Sequence, residues 1–296
     1  MSHAIIEALA IFGAGIAAGT INTVVGSGTL ITFPTLLAFG YPPVLANVTN
    51  TVGLVPGVAS GAYGYRAELT GQRRRLLRLG SASMCGGLVG AILLLVLPAE
   101  AFQAIVPALI CLALVLVVVQ PRLSKWLAAR QQARDSAPGS RVNGRAAVPG
   151  PGSEGAWYQR PGGEGENGRS ERLQTSEASA AGGLVIWLLV FATGIYGGYF
   201  GAAQGVLLLG LLGIAFTDSL QRINAVKNVL AGLVNGVAAL VFIAFSHVAW
   251  GAAGLLAAGS IIGGQIGARV GRRLPPWALR LTIICVGVAA LTKLLV

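Results

Sequence analysis

Asn224, Lys227 and Asn228 interrupt an otherwise apolar run, in the segment DSLQRINAVKNVLAGLVNG. At helical spacing Asn224, Asn228 and Asn235 share one face, with Lys227 one position round from Asn228. An earlier segment, LANVTNTVG, supplies Asn47, Thr49, Asn50 and Thr51. Amides, hydroxyls and an ammonium in hydrocarbon need partners, so both stripes are expected to face the interior of a helix bundle. There they can donate hydrogen bonds to an oxyanion stripped of water, or they can hold helices together. Lys227 sits roughly six residues into its block, about 9 Å deep at 1.5 Å per residue. From that depth its ammonium either attracts an anion or snorkels to the interface.

Two junctions carry the remaining candidates. The first reads Asn22-Thr23-Val24-Val25-Gly26-Ser27-Gly28-Thr29 and the second Gly197-Gly198-Tyr199-Phe200-Gly201-Ala202-Ala203-Gln204-Gly205. Each precedes an apolar block of only about 14 residues, short of the 20 or so that cross a bilayer. Both read as helix breaks, which survive at membrane depth only inside protein or beside a water-filled cavity. A break would present a helix N-terminus, with free N–H groups and partial positive charge, to a bound anion. Asn22, Gly26, Ser27, Gly28 and Thr29 would serve one half-site, and Gly201, Gln204 and Gly205 the other. The same glycines also permit close helix packing, the reading that suits Gly53/Gly57 and Gly232/Gly236.

The elements that must position these residues are all helical. Of 296 residues 54% are hydrophobic and only 10% charged, against about 25% charged in soluble domains, which excludes a water-soluble enzyme. Apolar blocks predict ten helices, at about 4–22, 27–40, 43–64, 76–97, 99–120, 183–200, 203–216, 221–246, 248–269 and 276–295. Residues 121–182, rich in Gly, Pro, Ser, Arg and Glu, read as a largely disordered linker, with a short helix around 125–134 continuing the fifth span. Three regions follow: a first transmembrane repeat (1–120), the linker (121–182) and a second repeat (183–296). The spans hold no carboxylate pair, His cluster or Ser/His arrangement, so neither catalysis, a metal nor a cofactor is expected. Cys85, Cys111 and Cys285 read as small buried hydrophobes. The N-terminus lacks the marks of a cleaved signal peptide, so the first block is expected to be retained.

The halves resemble each other. Shifted by about 179 positions, Phe12, Gly15, Gly19 and Gly26 fall on Phe191, Gly194, Gly198 and Gly205, and Ala46, Gly53 and Gly57 on Ala225, Gly232 and Gly236. Shifted by about 177, Gly86, Gly90 and Pro98 fall on Gly263, Gly267 and Pro275. An odd number of spans per half starts the second copy on the opposite side of the membrane, so the expected fold is an all-α polytopic bundle of two five-helix inverted repeats with broken or re-entrant helices. If the first two blocks of each half form a re-entrant hairpin, each half still crosses three times. The net charge is +11, yet nucleic acid is not needed to explain it. In the ten-span arrangement every Lys and Arg except Lys227 and Lys293 lies on one side, which the positive-inside rule makes cytoplasmic. Both termini are then outside and the linker inside. Asp218, four residues before Arg222, reads as an exposed ion pair, and Tyr63, Tyr65, Trp126, Trp187, Trp250 and Trp277 as interfacial aromatics.

Taken together, the first break, TFPTLLAFGYPP followed by LANVTNTVG, and the mirrored GYFGAAQG and NAVKNVLAGLVNG resemble the sulfite exporter TauE/SafE family of membrane permeases. The resemblance covers about 5–120 and 184–295. It implies a transporter of the bacterial cytoplasmic membrane that moves sulfite, organosulfonates or other small anions, mostly outward, with the breaks and polar segments as the site. The GSGT of the first break departs from a fuller glycine cluster. The expectation is a secondary transporter, embedded in the lipid bilayer, that exports a small oxyanion such as sulfite or an organosulfonate across the cytoplasmic membrane by alternating access, with room for a homo-oligomer. An anion channel, or a permease for uptake, is the alternative.

Overall fold

A computed structural model describes residues 2–135 and 166–270, all helical or in short connections, with no strand among them. The expected tenth block, Cys285 and residues 136–165 of the linker lie outside the described residues. Among the described residues nine α-helices run in the order α1 (Ser2–Val24), α2 (Thr29–Ala38), α3 (Pro43–Gly64), α4 (Arg73–Val96), α5 (Ala99–Asp135), α6 (Glu166–Tyr199), α7 (Gln204–Ala215), α8 (Leu220–Phe245) and α9 (Trp250–Val270). Among the described residues six stretches are long and apolar enough to cross a membrane: His3–Val24, Arg73–Val96, Ala99–Trp126, Gly182–Tyr199, Leu220–Phe245 and Trp250–Arg269. α5 continues through the anticipated helix around 125–134, and α6 begins within the expected linker.

The short helices α2 and α7 double back on their predecessors. Beyond α2, Tyr41 donates its hydroxyl proton to Glu7 near the start of α1 (2.9 Å), and Phe39 meets His3 edge-on. Beyond α7, Phe216 lies beneath the Arg75 guanidinium, 4.0 Å from the ring centre, while Arg78 packs on Gly183 near the start of the apolar part of α6. Each pair is therefore a helical hairpin with its tip at the break.

Glycines set how the hairpins dock. A Cβ on Gly86 or Gly90 of α4 would overlap the Phe191 and Ile195 carbonyls of α6. A Cβ on Gly263 or Gly267 of α9 would meet the Ile16 and Thr20 carbonyls of α1. So α4 packs on α6 as α9 packs on α1, with carbonyls of the one helix against glycines of the other in both pairs. Gly232 and Gly236, expected to pack like Gly53 and Gly57, do not match them. Gly53 and Gly57 abut Leu256 and Ser260, whereas Gly232 only approaches Val58 and Gly236 has open space.

Large apolar side chains such as Leu88, Ile92, Val115, Leu188 and Leu189 point outward from the spans, as a lipid-facing surface requires. Cys85 and Cys111 are exposed on that surface, not buried as expected: on helices that are apolar all round, sequence alone does not distinguish the lipid face from the core. Tyr65 is buried and not exposed at an interface as expected, while Tyr63 and Trp250 are exposed at helix ends and Trp126 is exposed at the end of the apolar stretch of α5.

Candidate functional site

Both breaks use the same backbone device. α1 ends where Val25 and Gly26 both donate to the Ile21 carbonyl (2.7 and 3.1 Å), with Gly26 at φ +88°. α6 ends where Phe200 and Gly201 both donate to the Tyr196 carbonyl (3.0 and 3.1 Å), with Gly201 at φ +76°. A positive-φ residue that returns its N–H to the preceding turn terminates a helix, and glycine adopts it without a Cβ penalty. The equivalent of Gly26 is thus Gly201, one helical turn from the Gly205 suggested by the shift of about 179. Past the hairpins the shift of about 177 holds, with Gly87 against the Val234 carbonyl and Gly264 against that of Gly57. The same register in α3 and α8 makes Asn47 the mate of Asn224, Asn50 of Lys227 and Thr51 of Asn228.

The tips meet. A Cβ on Gly26 would strike Gly205, and the Gly205 N–H donates to the Gly26 carbonyl at 3.2 Å. Phe200, in the second break, is buried edge-on between Phe33 of α2 and Phe102 of α5. Tyr196 donates to the Ala202 carbonyl and stiffens that break.

Each break leaves carbonyls without helical partners, and a helix from the other half of the chain supplies donors. From α8, Asn224 and Asn228 each donate to the Thr23 carbonyl at 3.3 Å, and Lys227 Nζ lies 3.4 Å from the Thr23 and 3.5 Å from the Asn22 carbonyl. From α3, Asn47 donates to the Tyr199 carbonyl at 2.9 Å. Lys227 is fully buried at 0% exposure and does not snorkel. It forms no ion pair with a described residue. Its charge faces the C-terminal end of α1, the negative end of the helix dipole.

Asn22, Gly26, Lys227 and Asn228 line one small cavity together with Thr23, Val58 and Ala231. It measures about 10 Å³, room for roughly one water. Among the described residues seven buried side-chain polar atoms have no hydrogen-bond partner, and five of them belong to the breaks and their facing helices: Ser27 Oγ and Asn47 Oδ1 in the first half, and Tyr199 Oη, Gln204 Nε2 and Asn224 Oδ1 in the second. Orphaned buried polar groups are rare in native folds and mark places where water, an ion or a ligand belongs.

The other expected site residues divide. Gly28 caps α2, where a Cβ would meet the Ala18 carbonyl. Asn50 donates to Thr29 Oγ1 (3.3 Å) and accepts from Thr32, a residue the sequence reading did not include although it lies one turn beyond Thr29. Thr49 accepts from the Ala249 N–H (3.2 Å) and Thr51 donates to the Asn47 carbonyl (2.9 Å), so both brace helices and neither lines the cavity. Asn235 donates to Ala231 of its own helix. Toward the start of α8, Asp218 binds both Arg75 and Arg222, and Arg222 donates to the Thr70 carbonyl at 3.3 Å. Burial alone would raise the Asp218 carboxyl, but the hydrogen bond and charge of Arg75, then of Arg222, outweigh it and hold the group below the ordinary carboxylate value.

Beyond this geometry, the pattern that defines the sulfite exporter TauE/SafE family matches residues 11–294. The chain belongs to that family. Among similar proteins, the probable membrane transporter protein YfcA of Escherichia coli is 25% identical over 295 residues, covering 96% of this chain and 88% of that protein. The probable membrane transporter protein ORF9 of a Sinorhizobium species is 30% identical over 100 residues, 34% of this chain and 38% of that protein. No solved structure matches. This TauE/SafE protein is accordingly a multi-pass membrane transporter, and membership in a permease family points away from an enzyme.

Proposed function

We propose that this TauE/SafE protein is a secondary transporter that exports a small oxyanion, sulfite or an organosulfonate, across the bacterial cytoplasmic membrane by alternating access. The observation that carries the reading is Lys227: a buried ammonium whose only partners among the described residues are carbonyl oxygens, in a cavity where the two hairpin tips meet. An isolated buried charge is costly unless compensated, and an anion beside Lys227 would compensate it. Asn228 and the orphaned Ser27, Gln204 and Asn224 would replace part of the anion's hydration shell. The cavity holds about one water, so binding requires the tips or α8 to move. That weighs toward a carrier and against an open channel.

The two repeats, 1–120 and 183–296, would be inverted across the bilayer, joined by a cytoplasmic linker at 121–182 and with both termini outside. In support, the first hairpin opens beside Tyr41, just before α3, and the second beside Arg75, just after it. α3 spans roughly 33 Å between them at 1.5 Å per residue. Arg73, Arg74, Arg75, Arg78 and Arg222 cluster on the second face, which the positive-inside rule makes cytoplasmic. An inside-negative potential favours anion efflux by about 2.3 kcal/mol per charge per 100 mV. Proteoliposomes loaded with sulfite test the reading: a carrier gives saturable counterflow of labelled sulfite. Flux that never saturates would indicate a channel, and absence of flux for sulfite and organosulfonates alike would remove the assignment.

A further inference from the structure

Where α4 and the apolar part of α6 begin, Arg74, Arg75 and Arg78 line a pocket of about 450 Å³ with Leu79, Ile186 and Phe216. Arg75 is already engaged, hydrogen-bonded to Gln72, paired with Asp218 and stacked on Phe216. Arg74 and Arg78 are exposed and form no ion pair with a described residue. The apolar spans start at Arg73 and Gly182, so the pocket lies where two apolar helices begin, the level at which headgroups meet hydrocarbon around a spanning helix. Its guanidinium groups lie at the polar level, and Ile186 and Leu79 lie a turn or more into the spans. A small soluble anion would use only the arginines. An amphiphile with a phosphate and an acyl chain would use both walls.

We infer that this pocket is a binding site for an anionic phospholipid, its phosphate held by Arg74 and Arg78 and an acyl chain laid against Ile186. Guanidinium forks match phosphate oxygens in bidentate geometry, and basic pockets between transmembrane helices hold anionic headgroups in this way. α4 belongs to the first repeat, α6 and Phe216 to the second, so the lipid bridges the two repeats on the face that carries the Asp218 cluster. The inference needs only a chain embedded in a bilayer, and it holds whichever solute is carried.

Trp187, next to Ile186 and stacked on Phe191, is the reporter. Full-length protein in neutral detergent is titrated with phosphatidylglycerol bearing brominated chains, with the matching phosphatidylcholine, and with glycerol phosphate as the headgroup alone. The site predicts saturable quenching by phosphatidylglycerol that disappears in Trp187→Phe, and little from phosphatidylcholine. Affinity falls about 5-fold in Arg74→Gln or Arg78→Gln and about 30-fold in the double variant. Equal quenching by the two lipids, or unchanged affinity in the double variant, overturns it. So does glycerol phosphate displacing phosphatidylglycerol at equal concentration, which would make the pocket a soluble-anion site.

Discussion

The α1 break and the α6 break share one backbone plan and carry different chemistry. In each, a positive-φ glycine ends the first helix, a short helix turns back, and an asparagine from the other half of the chain, on α8 or α3, caps the freed carbonyls. Yet Asn50, the mate of Lys227, is neutral and spends its amide on Thr29 and Thr32. The α1 break receives Asn224, Lys227 and Asn228; the α6 break receives Asn47 alone from its facing helix. The two breaks thus share a frame in which one facing helix contributes a neutral asparagine and the other a lysine at the matching position.

The comparison breaks first at the tips. Gly26→Ala adds a Cβ at φ +88° directly against Gly205, combining left-handed strain with overpacking, for a loss of about 2 to 5 kcal/mol. Thermal unfolding of the detergent-solubilised protein should show it, whereas Gly40→Ala, at the same φ with nothing near its Cβ, loses only about 1 to 2 kcal/mol. Next come the caps. Asn47→Ala removes the donor that α3 supplies to the Tyr199 carbonyl and costs about 1 to 3 kcal/mol. Asn224→Ala leaves Thr23 with Asn228 and Lys227 and costs less than about 1 kcal/mol. Equal losses would mean the two breaks are capped alike.

Smaller effects lie away from the tips. Gly236→Ala meets open space in mid-helix and should stabilise by up to about 1 kcal/mol through helix propensity. The Asp218 cluster gives the smallest effect. Its folded-state carboxyl is held below the ordinary value of 3.8, so its contribution is fully present above that pH and is lost as pH falls through the folded value. With side chains about a quarter exposed, it is worth no more than about 1 kcal/mol. Asp218→Asn should therefore lower stability slightly at neutral pH and flatten its dependence on pH below about 4.

The helices and both breaks were legible because hydrocarbon demands long apolar runs, and a short block after a glycine cluster cannot cross it. The register of the repeat was not. Gly15 and Gly19, or Gly86 and Gly90, recur one turn apart, so a helix aligned four residues out still matches small residue to small residue. Only the hydrogen bonds to Ile21 and Tyr196 separate Gly26 as a terminator from Gly205 as a contact. The fate of Lys227 was also beyond reach. At its shallow depth it reaches water unless something covers it, and the residues that enclose it come from distant parts of the chain, Asn22, Thr23 and Val58. The orphaned Ser27 and Gln204 atoms likewise depend on tertiary neighbours that composition does not reveal.

The central claim is that an anion sits beside Lys227. Equilibrium binding of labelled sulfite to purified protein, compared with Lys227→Met of matched thermal stability, tests it most directly. Saturable binding in the parent that weakens at least about 100-fold in the variant, the loss of a buried charge pair worth about 3 kcal/mol, is the predicted result. Undiminished binding in Lys227→Met would contradict it.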